Sequence, residues 1–126
     1  MITYTATNNN QTLTYTARTA QEQGLFYANL QGRPARLVRA SMNAVLARVA
    51  KPQVFPEFIS EEYIAEAKAQ NLKDQSKAEA MLARIADLDD AEIVWEDATW
   101  HSTRALAESA QRRSKAFANL IVEVTE

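Results

Sequence analysis

Ile2-Thr3-Tyr4-Thr5-Ala6-Thr7-Asn8-Asn9-Asn10-Gln11-Thr12-Leu13-Thr14-Tyr15-Thr16-Ala17 is the stretch whose reading decides how this chain starts to fold. Ile2, Tyr4 and Ala6 alternate with threonines, and Leu13, Tyr15 and Ala17 repeat the pattern after the asparagines. Successive side chains of a strand point to opposite faces, so the stretch reads as two strands with one apolar face and one threonine face. Asparagine tolerates positive φ, which makes Asn9-Asn10 a two-residue turn of type I′. That turn sets a register in which Tyr4 faces Tyr15, Ala6 faces Leu13 and Ile2 faces Ala17. A two-stranded hairpin is marginal by itself in water. Its tyrosine face must therefore pack on the rest of the chain.

Working outward, Leu25-Phe26-Tyr27-Ala28-Asn29-Leu30 follows Gly24 and reads as a third strand. Pro34 suits the first turn of a helix, where its missing N–H costs nothing. Val38, Met42, Val45, Leu46 and Val49 then fall on one helical face. A rival reading makes residues 35–39 a strand, but the alanines of residues 35–50 favour one long helix. Pro52 and Pro56 interrupt the chain, and Val54, Phe55, Phe58 and Ile59 are expected to pin this connector to the core. Ser60 can cap a helix whose first turn carries Glu61 and Glu62. A further helix is expected from about Asp74, with Ala78, Met81, Leu82 and Ile85 on one face and a bend or break at Asn71-Leu72-Lys73. Ile93-Val94-Trp95 reads as a short strand, Asp97 as the cap of a long helix to about residue 118, and Leu120–Val124 as the last strand. The expected fold is α+β: an antiparallel hairpin joined to a small mixed sheet, with three to four helices mainly on one face. Strand, helix and strand in the last third would make a right-handed crossover if those strands are parallel neighbours.

With 126 residues, 47% hydrophobic and 24% charged, the chain has the size of one globular domain spanning residues 1–126. There is no cysteine, which excludes disulfides, thiol catalysis and zinc–thiolate sites. Two glycines cannot make a glycine-rich phosphate cradle. The single histidine, His101, argues against a His–His metal site or a serine triad. The N-terminus lacks the features of a signal peptide, and no apolar run approaches the roughly 18 residues of a membrane span. A cytoplasmic protein with no cofactor, no metal and no membrane partner is the expectation.

Charge is distributed unevenly along the chain. Residues 1–51 carry six bases and one acid, a net +5, whereas residues 52–126 carry eight bases and 15 acids, a net −7. Residues 57–97 alone hold 12 acids and four bases. Three accounts compete. The arginine-bearing helix can lie beside the acidic helices and neutralise them. Alternatively Arg33, Arg36, Arg39 and Arg48, with Lys51, form a surface for an anion or partner, since the planar guanidinium suits phosphates. Or the acidic segment docks on a basic partner. Arg112-Arg113-Ser114-Lys115 reads mainly as cations favoured at a helix C-terminus.

Catalytic signals are thin. Glu96, Asp97, His101 and Arg104 would share one side of a helix, and a carboxylate there could orient the imidazole. A nucleophile and an oxyanion site are unmarked, so Asp97 reads as a helix cap and no catalytic residue is assigned. Asp87-Leu88-Asp89-Asp90 lacks the glycine and distal glutamate of a calcium loop. Tyr27, Trp95 and Trp100 are candidate interface aromatics, with core packing as the alternative.

These readings point away from an enzyme and toward a protein that binds another protein, as a small regulator, inhibitor or accessory subunit of the kind a phage or mobile element uses. Self-association would close an exposed strand edge or helix face. Nucleic-acid binding through the arginine helix is the runner-up. A small phosphate-bearing or nucleotide-like ligand held by Arg36, Arg39, Tyr27 and Trp100 is the third.

Overall fold

Asn9 and Asn10 both take positive φ, 50° and 64°, so the turn between β1 (Ile2–Asn8) and β2 (Gln11–Ala17) is the expected I′ type. The register follows from it: Ile2 pairs with Ala17, Tyr4 with Tyr15 and Ala6 with Leu13. On the outer face Thr3 and Thr16 hydroxyls lie 3.3 Å apart, and those of Thr7 and Thr12 3.2 Å apart. Tyr4 and Ala6 are fully buried on the inner face. The computed structural model describes residues 1–126, the side chain of Glu22 excepted. Its elements continue with β3 (Tyr27–Pro34), α1 (Ala35–Ala50), α2 (Glu61–Arg84), β4 (Ile93–His101), α3 (Arg104–Arg113) and β5 (Ala118–Glu123).

Two compact units result, one of Met1–Pro34 with Glu92–Glu126 and one of Ala35–Ala91. In the first, β3 is the centre of a three-stranded sheet in the order β4-β3-β5. Both pairings are antiparallel. The expected mixed sheet is thus corrected: β4 and β5 run parallel to each other but are separated by β3, because β3 has two free edges and takes one strand on each. Ala28, Leu30, Trp95, Ala98, Trp100, Leu120 and Val122 meet the inner face of the hairpin through Ala6 and Leu13 and form the core.

The hairpin is a sheet of its own by strand pairing, yet it is tied to the other sheet at two edges. Thr5 and Thr125 exchange backbone hydrogen bonds of 2.7 and 2.9 Å just beyond β5. On the other side the Gln11 carboxamide donates to the Ile93 carbonyl at 2.8 Å and accepts from the Trp95 N–H at 3.0 Å. The side chain stands in for a peptide group, so part of the β4 edge is satisfied. The strands follow one another as β2-β1-β5-β3-β4, and Gln11 stitches the last to the first.

The expected helix from Asp97 to about residue 118 is also corrected. Residues 97–101 continue β4, because Thr99, Trp100 and His101 pair with Asn29, Ala28 and Tyr27. β-Branched and aromatic residues suit such a pleated, half-buried surface. The helix starts only at Arg104, capped by the Thr103 hydroxyl, which accepts from Leu106 N–H at 3.3 Å. A register shift lies between Gln31 and Gly32, where Gln31 faces Asp97 and Gly32 faces Trp95, so Glu96 is the extra residue of a β-bulge. Gly32 is required there: a Cβ would stand 2.4 Å from the Val94 carbonyl oxygen and 2.7 Å from Ile93 Cγ2.

The second unit is a helical hairpin. Along α1 the more buried positions Ala35, Val38, Met42, Val45 and Val49 recur at alternating steps of three and four. Along α2 and its C-cap, Ile64, Ala67, Asn71, Asp74, Ala78, Met81 and Ile85 do the same. That is the spacing of a coiled-coil seam. It runs unbroken through Asn71 and Asp74, and this explains why α2 is one helix of 24 residues where a bend or break was expected. The α-helices number three, the lower of the expected three to four. Ser60 caps α2 by accepting from Tyr63 N–H at 3.2 Å, as its sequence implies.

Candidate interaction surfaces

The four arginines singled out by the sequence are held in different ways. Arg33 makes a bidentate pair with Glu96, Nε to Oε2 and Nη2 to Oε1, both at 2.7 Å. Donating hydrogen bonds to this carboxylate raises the Arg33 pKa above its ordinary value, so the guanidinium is held charged. The bulge presents Glu96 for this pair. Arg39 binds the Asp90 carboxylate through Nη1 and the carbonyls of Ile85 and Leu88 through Nη2, covering the end of α2. Arg48 reaches Asp74 at 2.9 Å, and Gln70 donates to the other oxygen of the same carboxylate. Arg36 is exposed and has no ion pair among the described residues.

These pairs give the uneven charge a local explanation. Counted by unit, residues 35–91 hold eight bases and nine acids, and the remaining residues hold six bases and seven acids. Each unit is close to neutral at −1. The basic helix α1 and the acidic α2 with its following turn are partners in one hairpin, so the imbalance between chain halves disappears in space.

Aromatic residues divide between core and surface. Trp95 is only 6% exposed and belongs to the core. Trp100 is half-buried and stacks on Tyr15, with ring centroids 5.8 Å apart. Beside this pair lies an open cleft of about 390 Å³ lined by Tyr15, Gln21, Leu25, Thr99 and Trp100, with no arginine in its wall. Tyr27 begins β3 opposite His101 and Glu123. Arg36 and Arg39 lie in the other unit. Asn29, fully buried at the centre of β3, donates to Asn119 Oδ1 at 3.5 Å, while its own Oδ1 has no partner among the described residues.

The helical cluster of Asp97, His101 and Arg104 dissolves once 97–101 is a strand. Asp97 accepts from the N–H of Ala98, His101 Nε2 meets the Thr99 hydroxyl at 2.9 Å, and Arg104 pairs with Glu108 one helical turn on. The expected Asp97 cap is replaced by Thr103. Burial, reinforced by the positive charge of Arg113, lowers the pKa of His101. Among the described residues no three His, Asp or Glu side chains come together as a metal-binding group. No helix among them is long and apolar enough to cross a membrane.

The connector between the helices overturns one expectation and exposes the surface that sequence reasoning missed. Phe55 packs edge-on against Tyr63 at 6.4 Å, and Ile59 is half-buried. Val54, at 91% exposed, and Phe58, at 86%, stand in solvent and are not pinned to a core. The reason is geometric: α1 ends at Ala50, and the two-helix unit has no third layer to receive them. Tyr63 is also more than half exposed. The same stretch carries Glu57, Glu61, Glu62 and Glu66, with no base between Val54 and Glu66. Exposed apolar side chains and four acids therefore share this end of the hairpin. The sequence signal was available: Val54, Phe55 and Phe58 flank Pro56 in a connector between two helices, which offers little surface to cover them.

A second mixed patch lies in the first unit. Leu106, Ser109, Arg112 and Arg113 line an open cleft of about 390 Å³ on α3. Arg113 donates to the Ser109 carbonyl at 3.3 Å, and Arg112 to the Ser109 hydroxyl at 3.2 Å. Leu106 is 52% exposed, and Phe117, four residues past the helix, is 72% exposed. The chain matches no protein-family model, no curated protein and no solved structure.

Proposed function

We propose that this chain is a non-enzymatic binding protein, a small regulator, inhibitor or accessory subunit, that engages a protein partner through the end of its helical hairpin. The observation that carries this reading is the solvent-exposed set Val54, Phe58 and Tyr63 in a stretch that holds four glutamates and no base. Large apolar side chains held in water are unfavourable by about 25 cal/mol per Å², and a partner that covers them recovers that free energy. An aromatic anchor with a charged rim matches the anatomy of interface hot spots. The rim selects a partner surface that is basic around an apolar hollow.

The test places a photo-reactive benzophenone side chain at Phe58 and, as a control, at exposed Asn43. One protein adduct of discrete mass is expected from position 58, weakened by salt and lost in Glu61→Lys/Glu62→Lys. No adduct, or equal adducts from both positions, overturns the reading.

The nucleic-acid alternative rests on Arg36 and Lys51, since Arg33, Arg39 and Arg48 are engaged by acids of their own units. Anisotropy of labelled duplex DNA decides it. About two phosphate contacts would lose on the order of 10-fold in affinity between roughly 50 and 200 mM salt. Binding of that kind, abolished by Arg36→Glu/Lys51→Glu, would put nucleic acid first.

A further inference from the structure

The two exposed mixed patches are complementary to each other. The stretch from Val54 to Glu66 at the hairpin end offers Val54, Phe58 and Tyr63 with Glu57, Glu61, Glu62 and Glu66, four acids, and the nearest bases are Lys51 and Lys68 on either side of it. The α3 patch offers Leu106 and Phe117 with Arg112, Arg113 and Lys115, three bases and no acid from Ser109 to Phe117. Arg112 and Arg113 each use one nitrogen of the guanidinium in their bonds to Ser109. A guanidinium has five N–H donors, so the rest of each fork can receive a carboxylate. The open cleft lined by Leu106, Ser109, Arg112 and Arg113 sets one apolar side chain beside two guanidinium groups. An aromatic side chain flanked by acids, such as Phe58, is complementary to that chemistry.

We propose that a second copy of this chain is the occupant: the hairpin end of one copy docks on the α3 patch of the next. This rests on the reading of the hairpin end as a binding surface and names its partner. The contact joins two different patches, so it is heterologous, and a docked pair keeps one free hairpin end and one free α3 patch. Such contacts build a ring if the rotation closes and a filament if it does not. Charge pairing at the rim steers the encounter and is screened by salt, while Phe58 in the hollow carries the affinity.

Light scattering on the full chain after size-exclusion chromatography, at about 10 and 100 µM protein, tests the proposal. The expected mass is above that of a dimer at low salt and falls as salt is raised. Phe58→Glu and, separately, Arg112→Glu/Arg113→Glu each give monomer, with the dissociation constant raised about 30-fold or more. All three positions are exposed, so unchanged circular dichroism and melting temperature verify the folds. The decisive arm mixes the two variants. One retains a working α3 patch and the other a working hairpin end, so together they form a one-to-one dimer and stop there. A monomeric wild-type chain at 100 µM overturns the proposal, as does an oligomer that survives both variants or a mixture that stays monomeric. The benzophenone adduct separates the two readings. A monomeric chain that still crosslinks at position 58 to a protein of another mass refutes self-docking alone, whereas absence of any adduct refutes both.

Discussion

Arg39 and Arg36 are three residues apart on α1, and the structure assigns them opposite roles. Arg39 bonds the Asp90 carboxylate and the carbonyls of Ile85 and Leu88, and its side chain is 26% exposed. Asp90 is 75% exposed, so the ion pair itself contributes no more than about 1 kcal/mol. Hydrogen bonds from a charged donor to carbonyls at a helix end contribute about 1.5 kcal/mol each when sheltered. These overlapping contributions add up to a loss of about 2–3 kcal/mol in Arg39→Gln. Arg36→Gln, at an exposed site, changes stability by less than about 0.5 kcal/mol. With a urea m-value of about 1.5 kcal/mol per M, the midpoint falls by about 1.5 M for Arg39→Gln and hardly moves for Arg36→Gln. Equilibrium urea unfolding followed by circular dichroism reads both. Arg39→Lys keeps the charge but loses the planar fork, and its midpoint lies between the two. Equal, small shifts for Arg39→Gln and Arg36→Gln would refute the reasoning. The guanidinium of Arg39 would then be free for an external anion, and the charge pairing within the helical hairpin would contribute nothing.

Gly32→Ala forces a Cβ to within 2.4 Å of the Val94 carbonyl oxygen, a backbone atom that cannot swing aside. Overpacking of this kind costs about 1–3 kcal/mol, which lowers the melting temperature by about 4–8 °C per kcal/mol in a domain of this size. A melt within 2 °C of wild type would show that the bulge relaxes freely. For His101, burial and Arg113 lower the folded pKa below 6.5, so between those two values the unfolded chain binds the proton more readily. Stability supplied by the neutral imidazole is present above pH 6.5 and is lost as pH falls through the folded value. The melting temperature therefore drops more between pH 7.5 and pH 5 in wild type than in His101→Gln. Identical pH profiles would remove His101 from the account.

What could be read from the sequence was whatever is local. The alternation of Ile2, Tyr4 and Ala6 with threonines, and two asparagines that accept positive φ, fix the first hairpin to its last residue pair. Ser60 and the apolar spacing of α1 are local in the same sense, because a cap or a helical face needs only residues a turn away. Residues 97–103 were misread as helix because the hydrogen bonds that make Thr99 and His101 a strand come from β3, about 70 residues earlier. No short-range pattern contains that partner. Asn71 and Asp74 resembled a break until the seam they occupy became visible.

Charge shows the same division. Composition along the chain gives a basic N-terminal part and an acidic remainder, and both anion capture and internal pairing are consistent with it. Only the antiparallel return of α2 along α1, with Arg48 on Asp74 and Arg39 at Asp90, makes each unit nearly neutral. The exposure of Val54 and Phe58 was equally a tertiary matter. Hydrophobic residues seek cover wherever a third layer exists, and the length of α1 relative to α2 leaves none at that end. Local propensity and turn chemistry were thus determined by sequence alone, whereas pairing across distance and what remains uncovered were decided by the fold.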